Sequence, residues 1–232
     1  MTNLVKKCLQ KKINKEKAIF LLRFFKTQKG QYGEGDIFWG ITVPEQRKIA
    51  KKFKEINFYQ IQELLNDKIH ECRLTGLLIL IEKYKKADPS EQAKIFKLYL
   101  KNYKNINNWD LVDLSAPAIV GNYLLNKDRK ILYRFAQSNY LWKKRIAIVA
   151  TFAFIKNKQL DDTFEIAEIL LNDKHDLIHK AVGWMLREAG KRNKKAEIDF
   201  LKKYASKMPR TMLRYSIEKF SESERKKFLC LT

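Results

Sequence analysis

The stretch RIAIVATFAF, residues 145–154, decides the fold class, because it is one of five similar stretches that recur along the chain. Each opens with a basic or polar residue and continues with small and apolar residues. The other four are RLTGLLIL at 73–80, DLVDLSAPAIV at 110–120, KAVGWMLREA at 180–189 and RYSIEKF at 214–220. Successive stretches start about 35 residues apart, a period typical of helix pairs that stack into a solenoid.

The apolar residues in these stretches follow the spacing of one helix face, as Leu74, Leu77 and Ile81 do. With only 8 Gly and 4 Pro, the chain has too little turn punctuation for an all-β fold. Its 45% hydrophobic and 32% charged residues are typical of a globular protein. We therefore predict an all-α helical-repeat solenoid (an α-α superhelix) with a concave groove. The alternative is an irregular helical bundle.

One domain covering residues 1–232 is expected, with an N-terminal part that differs from the rest. Residues 1–43 are predicted to form an N-terminal helix and a glycine-rich loop, and residues 44–232 to form the stacked helix pairs. The segment QKGQYGEGDIFWGITVPEQRKIAKKF, residues 28–53, holds four of the eight glycines. It predicts an exposed loop that leads into a helix starting at Pro44.

The charge balance points to a polyanionic partner. The chain has 48 basic and 26 acidic residues, a formal net charge of +22. A surface of this charge attracts nucleic acid first and the surface of an anionic membrane second. The alternative is a compositional enrichment in lysine that serves no binding role.

The cysteines and the N-terminus indicate a cytoplasmic protein. Cys8, Cys72 and Cys230 are an odd and scattered set, which argues against a disulfide framework. The opening MTNLVKKCLQKKINKEK lacks the apolar segment of a signal peptide. No apolar run is long enough for a membrane span, so a membrane could be only a peripheral partner, and with nucleic acid favoured none is expected.

The sequence contains none of the common catalytic or cofactor signatures. It has no P-loop, no GxSxG, no HExxH and no CxxC pair, and the GEG triplet lacks the context of a dinucleotide-binding loop. His175 and His179 share a helix face and could bind a metal, but no third ligand is suitably spaced. A solvated or helix-capping role is favoured, so neither a metal nor a cofactor is expected.

The segment YKNINNWDLVDLSAPAIVG, residues 103–121, is the most unusual in the chain. Asn107 or Asn108 can cap the helix that follows, and Asp110 in its first turn suits the helix dipole. Asp113 has no such structural role. It lies one helical turn after Trp109, in a column that the other repeats fill with small or apolar residues.

Three further large residues are candidates for a binding surface. Trp142 and Arg145 lie in NYLWKKRIAIV, and Trp184 follows Lys180 by one turn in KAVGWMLREAG. Each tryptophan could simply pack in the core, and Arg145 could simply pair with a carboxylate. The functional alternative is an aromatic and cationic lining that contacts sugars, bases and phosphates.

These motifs resemble the bacterial DNA alkylation repair family of AlkD type, which are HEAT-like repeat DNA glycosylases. The resemblance runs through nearly the whole chain, and WDLVD and KAVGWMLRE carry it most specifically. It implies a HEAT-like repeat solenoid with a basic groove. It also implies excision of N3-alkyladenine and N7-alkylguanine from double-stranded DNA.

The resemblance assigns roles by motif. It implies that Asp113 is the catalytic carboxylate, that Trp109 and Trp184 form an aromatic lining, and that Arg145 contacts DNA. Further expected DNA contacts are Lys180, Thr42 and Arg47. The next helix is predicted to start at Pro44. Because the residue before it, Val43, has no polar side-chain atom, no side chain is expected to cap that helix.

A mechanism fits these residues. Alkylation makes the purine cationic, so the base leaves as a neutral molecule and needs no general acid, unlike ordinary glycoside hydrolysis. Asp113 would stabilise positive charge on the deoxyribose and position water, and the tryptophan faces would attract the same charge. A shallow groove offers no pocket, and the resemblance implies excision without flipping the base into one.

Two other functions stay open from the residues: a non-catalytic DNA-binding solenoid, and a protein-interaction scaffold whose charge is incidental. No lysine is singled out for cleavage of the abasic product, so a monofunctional enzyme is expected. Solenoids of this kind often act as monomers, and a monomer is expected here.

Overall fold

The computed structural model describes residues 2–231. These residues form helices, with one isolated bridge between Ile37 and Ile69 and no strand among them. The all-α class predicted from composition and periodicity is confirmed. The chain divides into two compact units, Met1–Ser115 and Ala116–Thr232.

The first unit is organised around one buried helix. Its helices are α1 (Thr2–Gln10), α2 (Lys15–Phe24), α3 (Val43–Lys52), α4 (Phe58–Leu65), α5 (His70–Tyr84) and α6 (Pro89–Lys101), followed by α7 (Trp109–Ala116). Helices α1, α3, α4 and α6 all pack against α5. Residues 74–81 of α5 are buried on every side. This is why the segment is apolar all round and has no polar face.

The N-terminal region differs from the prediction in two respects. The sequence predicts one helix in residues 1–43, but both α1 and α2 lie there. The helix predicted to start uncapped at Pro44 starts one residue earlier, after a capping box at Thr42. The Glu45 carboxylate accepts the backbone N–H of Thr42 at 3.4 Å and its hydroxyl at 3.0 Å. The prediction is wrong because it took Val43 as the capping position, whereas the capping residue is Thr42, one position earlier.

The glycine-rich segment is exposed as predicted over residues 28–31 and at Glu34 and Gly35, but it is largely packed from Asp36 onward. The Glu71 carboxylate of α5 accepts the backbone N–H groups of Trp39, Gly40 and Ile41 at 2.8 to 3.2 Å. Gly40 and Ile41 are buried, as is Asp36 earlier in the segment. A loop can be buried when its backbone donors find acceptors. Here the acceptor is distant in sequence, so local composition does not reveal it.

The second unit consists of successive helix pairs. After a π-helical turn at Pro117–Gly121 come α8 (Asn122–Leu124), α9 (Lys130–Ala136), α10 (Leu141–Lys156), α11 (Asp161–Ile169), α12 (Asp176–Gly190), α13 (Lys194–Tyr204), α14 (Arg210–Ser216) and α15 (Glu222–Leu229). Helix α12 packs against both α10 and α14. A Cβ at Gly183 would lie 2.5 Å from the Met212 carbonyl oxygen, so only glycine permits the close approach of α12 to α14.

The five repeated stretches lie on α5, α7, α10, α12 and α14. The two shorter helices, α7 and α14, continue into a π turn and a 3₁₀ turn, respectively. In the second unit, α9, α11 and α13 each pack against α10 or α12, as expected for helix pairs of a repeat protein. No helix within residues 2–231 is long and apolar enough to cross a membrane.

Candidate functional site

Asp113 and Trp109 lie one turn apart on α7, and both side chains are half-buried. The equivalent column in the other four repeats contains only buried residues: Gly76, Ile148, Gly183 and Ile217. Asp113 therefore differs from the equivalent residues of the other repeats both in residue type and in burial. Its carboxylate is not sealed in the packing and can meet a ligand.

A cavity of about 540 Å³ lies beside Asp113 within the first unit, and we call it the Asp113 cavity. Side chains from α2, α3, α5 and α7 line it, together with the segment that precedes α3. Its aromatic lining consists of Phe20, Phe24, Phe25, Phe38 and Trp109. The predicted absence of a pocket is wrong for this unit. That prediction considered only the repeated helices, whereas α2 lies outside the repeats and supplies one wall.

The aromatic residues contact one another closely. The Trp109 ring stacks on Phe25, with centroids 5.1 Å apart and planes 20° apart, and meets Phe24 edge-on at 5.8 Å. Phe20 stacks on Phe24 at 5.8 Å. Helix α2 has no buried residue, and its Phe20 and Phe24 are about half exposed. The wall formed by α2 therefore presents open ring faces.

A buried ionic bridge lies beneath this wall, and we call it the His70 bridge. His70 donates from Nδ1 to Asp36 at 3.0 Å and from Nε2 to Asp110 at 2.8 Å. Burial alone would lower the pKa of His70, but the carboxylates of Asp110 and Asp36 outweigh it and raise that pKa to about 9. Burial also opposes ionisation of Asp36. Hydrogen bonds from His70 and the charge of Arg73 nevertheless lower the pKa of that carboxyl.

The His70 bridge holds the start of α7 in place. Asn108 accepts the backbone N–H of Trp109 at 2.8 Å and donates to Asp36 at 3.0 Å. Asn108 thus fills the capping role predicted for it or for Asn107. Asp110 was predicted only to suit the helix dipole, and the structure gives it His70 as a partner as well. Asp36 and His70 are not predictable from the sequence, because nothing local indicates that they meet.

The second unit holds the other aromatic candidates. Trp184 is half-buried on α12, with its ring 5.8 Å from that of Phe152. Lys180 forms an ion pair with Asp176 at 2.6 Å, one turn earlier on the same helix. Trp142 is 4% exposed, so it packs in the core, the simpler of its two alternatives. The roles of Trp184 and Lys180 at DNA stay predictions.

The remaining predicted DNA contacts differ in exposure. Arg145 is buried and donates to the Leu177 carbonyl oxygen at 2.5 Å, so it already links α10 to α12. Arg47 is exposed on α3. Thr42 lines the Asp113 cavity, but its hydroxyl donates to Glu45 in the capping box. DNA binding by these three residues stays a prediction.

The histidines of α12 serve structural roles. His175 caps the helix, since its Nδ1 accepts the backbone N–H of Leu177 at 3.1 Å. His179 bonds the Asp173 carbonyl oxygen through Nε2 at 2.5 Å. The described part of the chain contains no cluster of three or more His, Cys, Asp or Glu side chains placed to hold a metal ion.

The amino-acid sequence matches a known protein family over most of its length. Residues 5–220 match the family described as DNA alkylation repair enzyme. The chain belongs to this family. A solved structure from Enterococcus faecalis, described as a predicted DNA alkylation repair enzyme, superposes with a TM-score of 0.71. The alignment covers 91% of this chain and 98% of the Enterococcus faecalis chain, with 16% sequence identity. At this identity the comparison shows a shared fold. No curated protein sequence matches the chain.

Membership of the DNA alkylation repair family confirms the resemblance found in the WDLVD and KAVGWMLRE motifs. It gives the chain a role in the repair of alkylated DNA. A net charge of +22 suits a polyanionic substrate of this kind.

Proposed function

We propose that this protein is a monofunctional DNA glycosylase that hydrolyses the N-glycosidic bond of cationic alkylated purines in duplex DNA. Its expected substrates are N3-alkyladenine and N7-alkylguanine. The observation that carries the proposal is the half-buried Asp113 carboxylate beside Trp109, at the edge of an aromatic cavity. Membership of the DNA alkylation repair family supports it.

The chemistry requires little of the protein. An alkyl group on N3 or N7 gives the purine a positive charge, and cleavage of the bond to C1′ returns that charge to the sugar. The base departs neutral, so the second carboxylate of ordinary glycosidases has no leaving group to protonate. Water then bonds to C1′ and loses a proton to solvent, which leaves an abasic site.

Asp113 acts on the charge that develops at the sugar. A fixed carboxylate in a partly dehydrated site stabilises an oxocarbenium ion more than it stabilises the ground state. The Trp109 ring adds attraction through its electron-rich face. We assign Trp184 the same role on the second unit, and we assign Arg145, Lys180, Arg47 and Thr42 to contacts with DNA.

The direct test is release of free base from a duplex that contains N7-methylguanine, measured in single turnover. We expect Asp113→Asn to slow release by about two orders of magnitude, because one preorganised charge is removed. Its affinity for DNA should be unchanged or higher, since a negative charge facing phosphates is lost.

The matched control is Glu55→Gln, which neutralises a carboxylate that is 82% exposed and lies outside the Asp113 cavity. Release at the wild-type rate by Asp113→Asn would refute the assignment of the acid. Tight DNA binding without base release by the wild type would favour the non-catalytic DNA-binding solenoid. Binding that does not weaken with added salt would favour the protein-interaction scaffold.

A further inference from the structure

A row of packed rings joins the His70 bridge to Trp109. The centroid of the His70 ring lies 4.5 Å from that of Phe38 and 5.2 Å from that of Phe25. Phe25 in turn stacks on Trp109, with centroids 5.1 Å apart. Closely packed side chains transmit small displacements, so a shift of His70 reaches Trp109 through one intervening ring.

The hydrogen bonds of the bridge reach the same part of α7. His70 donates to Asp110, the residue directly after Trp109. Asp36 accepts from both His70 and Asn108. Asn108 in turn accepts the backbone N–H of Trp109. Two routes therefore tie the first turn of α7 to His70, and the acid assigned to catalysis lies one turn further along the same helix.

The burial of the bridge argues for a role beyond stability. His70 is 2% exposed and Asp36 is 6% exposed, and Arg73 is buried beside them. Compared with apolar residues of similar volume, ion pairs this deeply buried add little net stability, because desolvation offsets much of the attraction. Apolar packing fills the same helix from Leu74 onward. What charged hydrogen bonds add is a fixed direction for each group.

The bridge is balanced in charge only while His70 is protonated, because the imidazolium and Arg73 then offset Asp36 and Asp110. The other charged side chains that line the Asp113 cavity are Lys17 on α2, Glu71 on α5 and Asp113 on α7. Burial opposes the protonation of His70, yet Asp110 and Asp36 keep its pKa at about 9. A neutral imidazole has one N–H and would release one of the two carboxylates.

We propose that His70 is a positioning residue for base excision, whose two N–H donors fix the first turn of α7 and with it Trp109 and Asp113. This inference rests on the proposed glycosylase function and adds a residue to it. His70 acts through its hydrogen-bond partners, so no contact between His70 and DNA is required. The cavity takes no base in this account, which agrees with excision without base flipping.

The first test is single-turnover release of N7-methylguanine from duplex DNA by His70→Gln. The glutamine side chain is neutral and cannot donate in two opposite directions. We expect release near neutral pH to slow by about tenfold or more, because small misplacements of reacting groups are costly, and DNA affinity to stay within about twofold. The ratio of the wild-type rate to the variant rate should fall towards one above a pH of about 9, where the wild type loses the same proton. Taking this ratio at each pH cancels the titration of the lesion, and circular dichroism checks that both proteins are folded.

Asp36→Asn is the second variant, because Asp36 does not line the cavity and acts through the bridge. Loss of this carboxylate should lower the pKa of His70. The rate relative to the wild type should therefore be lower at a pH of about 8.5, where only the wild type keeps the proton, than near neutral pH. The matched control is Asp162→Asn, which breaks an ion pair with Arg129 in the second unit and should keep a constant rate relative to the wild type. A constant relative rate for Asp36→Asn would indicate a structural role alone and overturn the inference.

The outcomes separate this inference from the proposed function. If the wild type releases the base and His70→Gln matches it at every pH, only the inference fails. If the wild type releases no base, the glycosylase proposal fails, and the NMR signals of the Trp109 ring protons decide the positioning role. A shift of these signals near pH 9 that is absent in His70→Gln would support that role, and signals that do not shift would overturn it.

Discussion

The His70 bridge predicts that the protein loses stability in mildly alkaline solution. The pKa of His70 is about 9 in the folded state, because Asp110 and Asp36 hold the imidazolium, against an ordinary value of 6.5. A group whose pKa is raised by folding stabilises the folded state fully below its unfolded pKa. That stabilisation is lost as the pH rises through the folded value.

The size of the effect follows from the shift. One pKa unit corresponds to about 1.4 kcal/mol, so the shift from 6.5 to about 9 contributes about 3 kcal/mol below a pH of about 6.5. We expect the free energy of unfolding to fall by that order between pH values of about 6.5 and 9. Burial also raises the pKa of Glu197 to about 8. Its carboxyl therefore stays protonated in the folded state up to about that pH, and this adds to the decrease in the free energy of unfolding in the lower part of the same pH range.

Two measurements check this prediction. Urea unfolding across the pH range gives the total change, and NMR titration of the imidazole protons isolates His70. The chain has only three histidines, and His175 is an internal control because burial lowers its pKa. Titration of His70 at 6.5 or below would show that folding does not stabilise its imidazolium, and it would refute the reasoning.

Two further predictions concern single residues. Gly40→Ala should destabilise the protein by about 2 kcal/mol, because Gly40 has a φ of 78° and a Cβ there would lie 2.1 Å from the Asn14 carbonyl oxygen at the start of α2. Thermal unfolding measures this against Gly35→Ala, which has a similar φ of 84° and open space around it, and equal losses would contradict the role of close packing. Glu197→Gln should remove the part of the alkaline destabilisation that comes from ionising a buried carboxyl. Urea unfolding should show its advantage over the wild type growing as the pH approaches about 8, and a constant difference would contradict the raised pKa.

The repeated helices were predictable because the sequence itself shows helical periodicity and a repeat of about 35 residues. Asp113 was found in the same way, as an acid in a column of buried small and apolar residues. The capping role of Asn108 also follows from local sequence, because a cap and the helix it serves are neighbours in the chain.

The errors share a different cause. The segment before α3 was predicted to be exposed, yet Glu71, some 30 residues later, accepts its backbone N–H groups. The absence of a pocket was predicted from the repeated helices alone, yet α2 and the segment before α3 line the Asp113 cavity. Such partners are brought together by the folding of distant segments, and composition or periodicity cannot indicate them.

The amino-acid sequence by itself therefore determined the helices, their repeat and the acid on α7, since each depends on residues within a few helical turns. Only the tertiary structure decided that α2 leaves an aromatic cavity beside that acid and that His70 joins Asp36 to Asp110 beneath it. The physical reason is that a cavity and a buried ion bridge depend on distances between side chains far apart in the chain. Those distances are set when the helices pack.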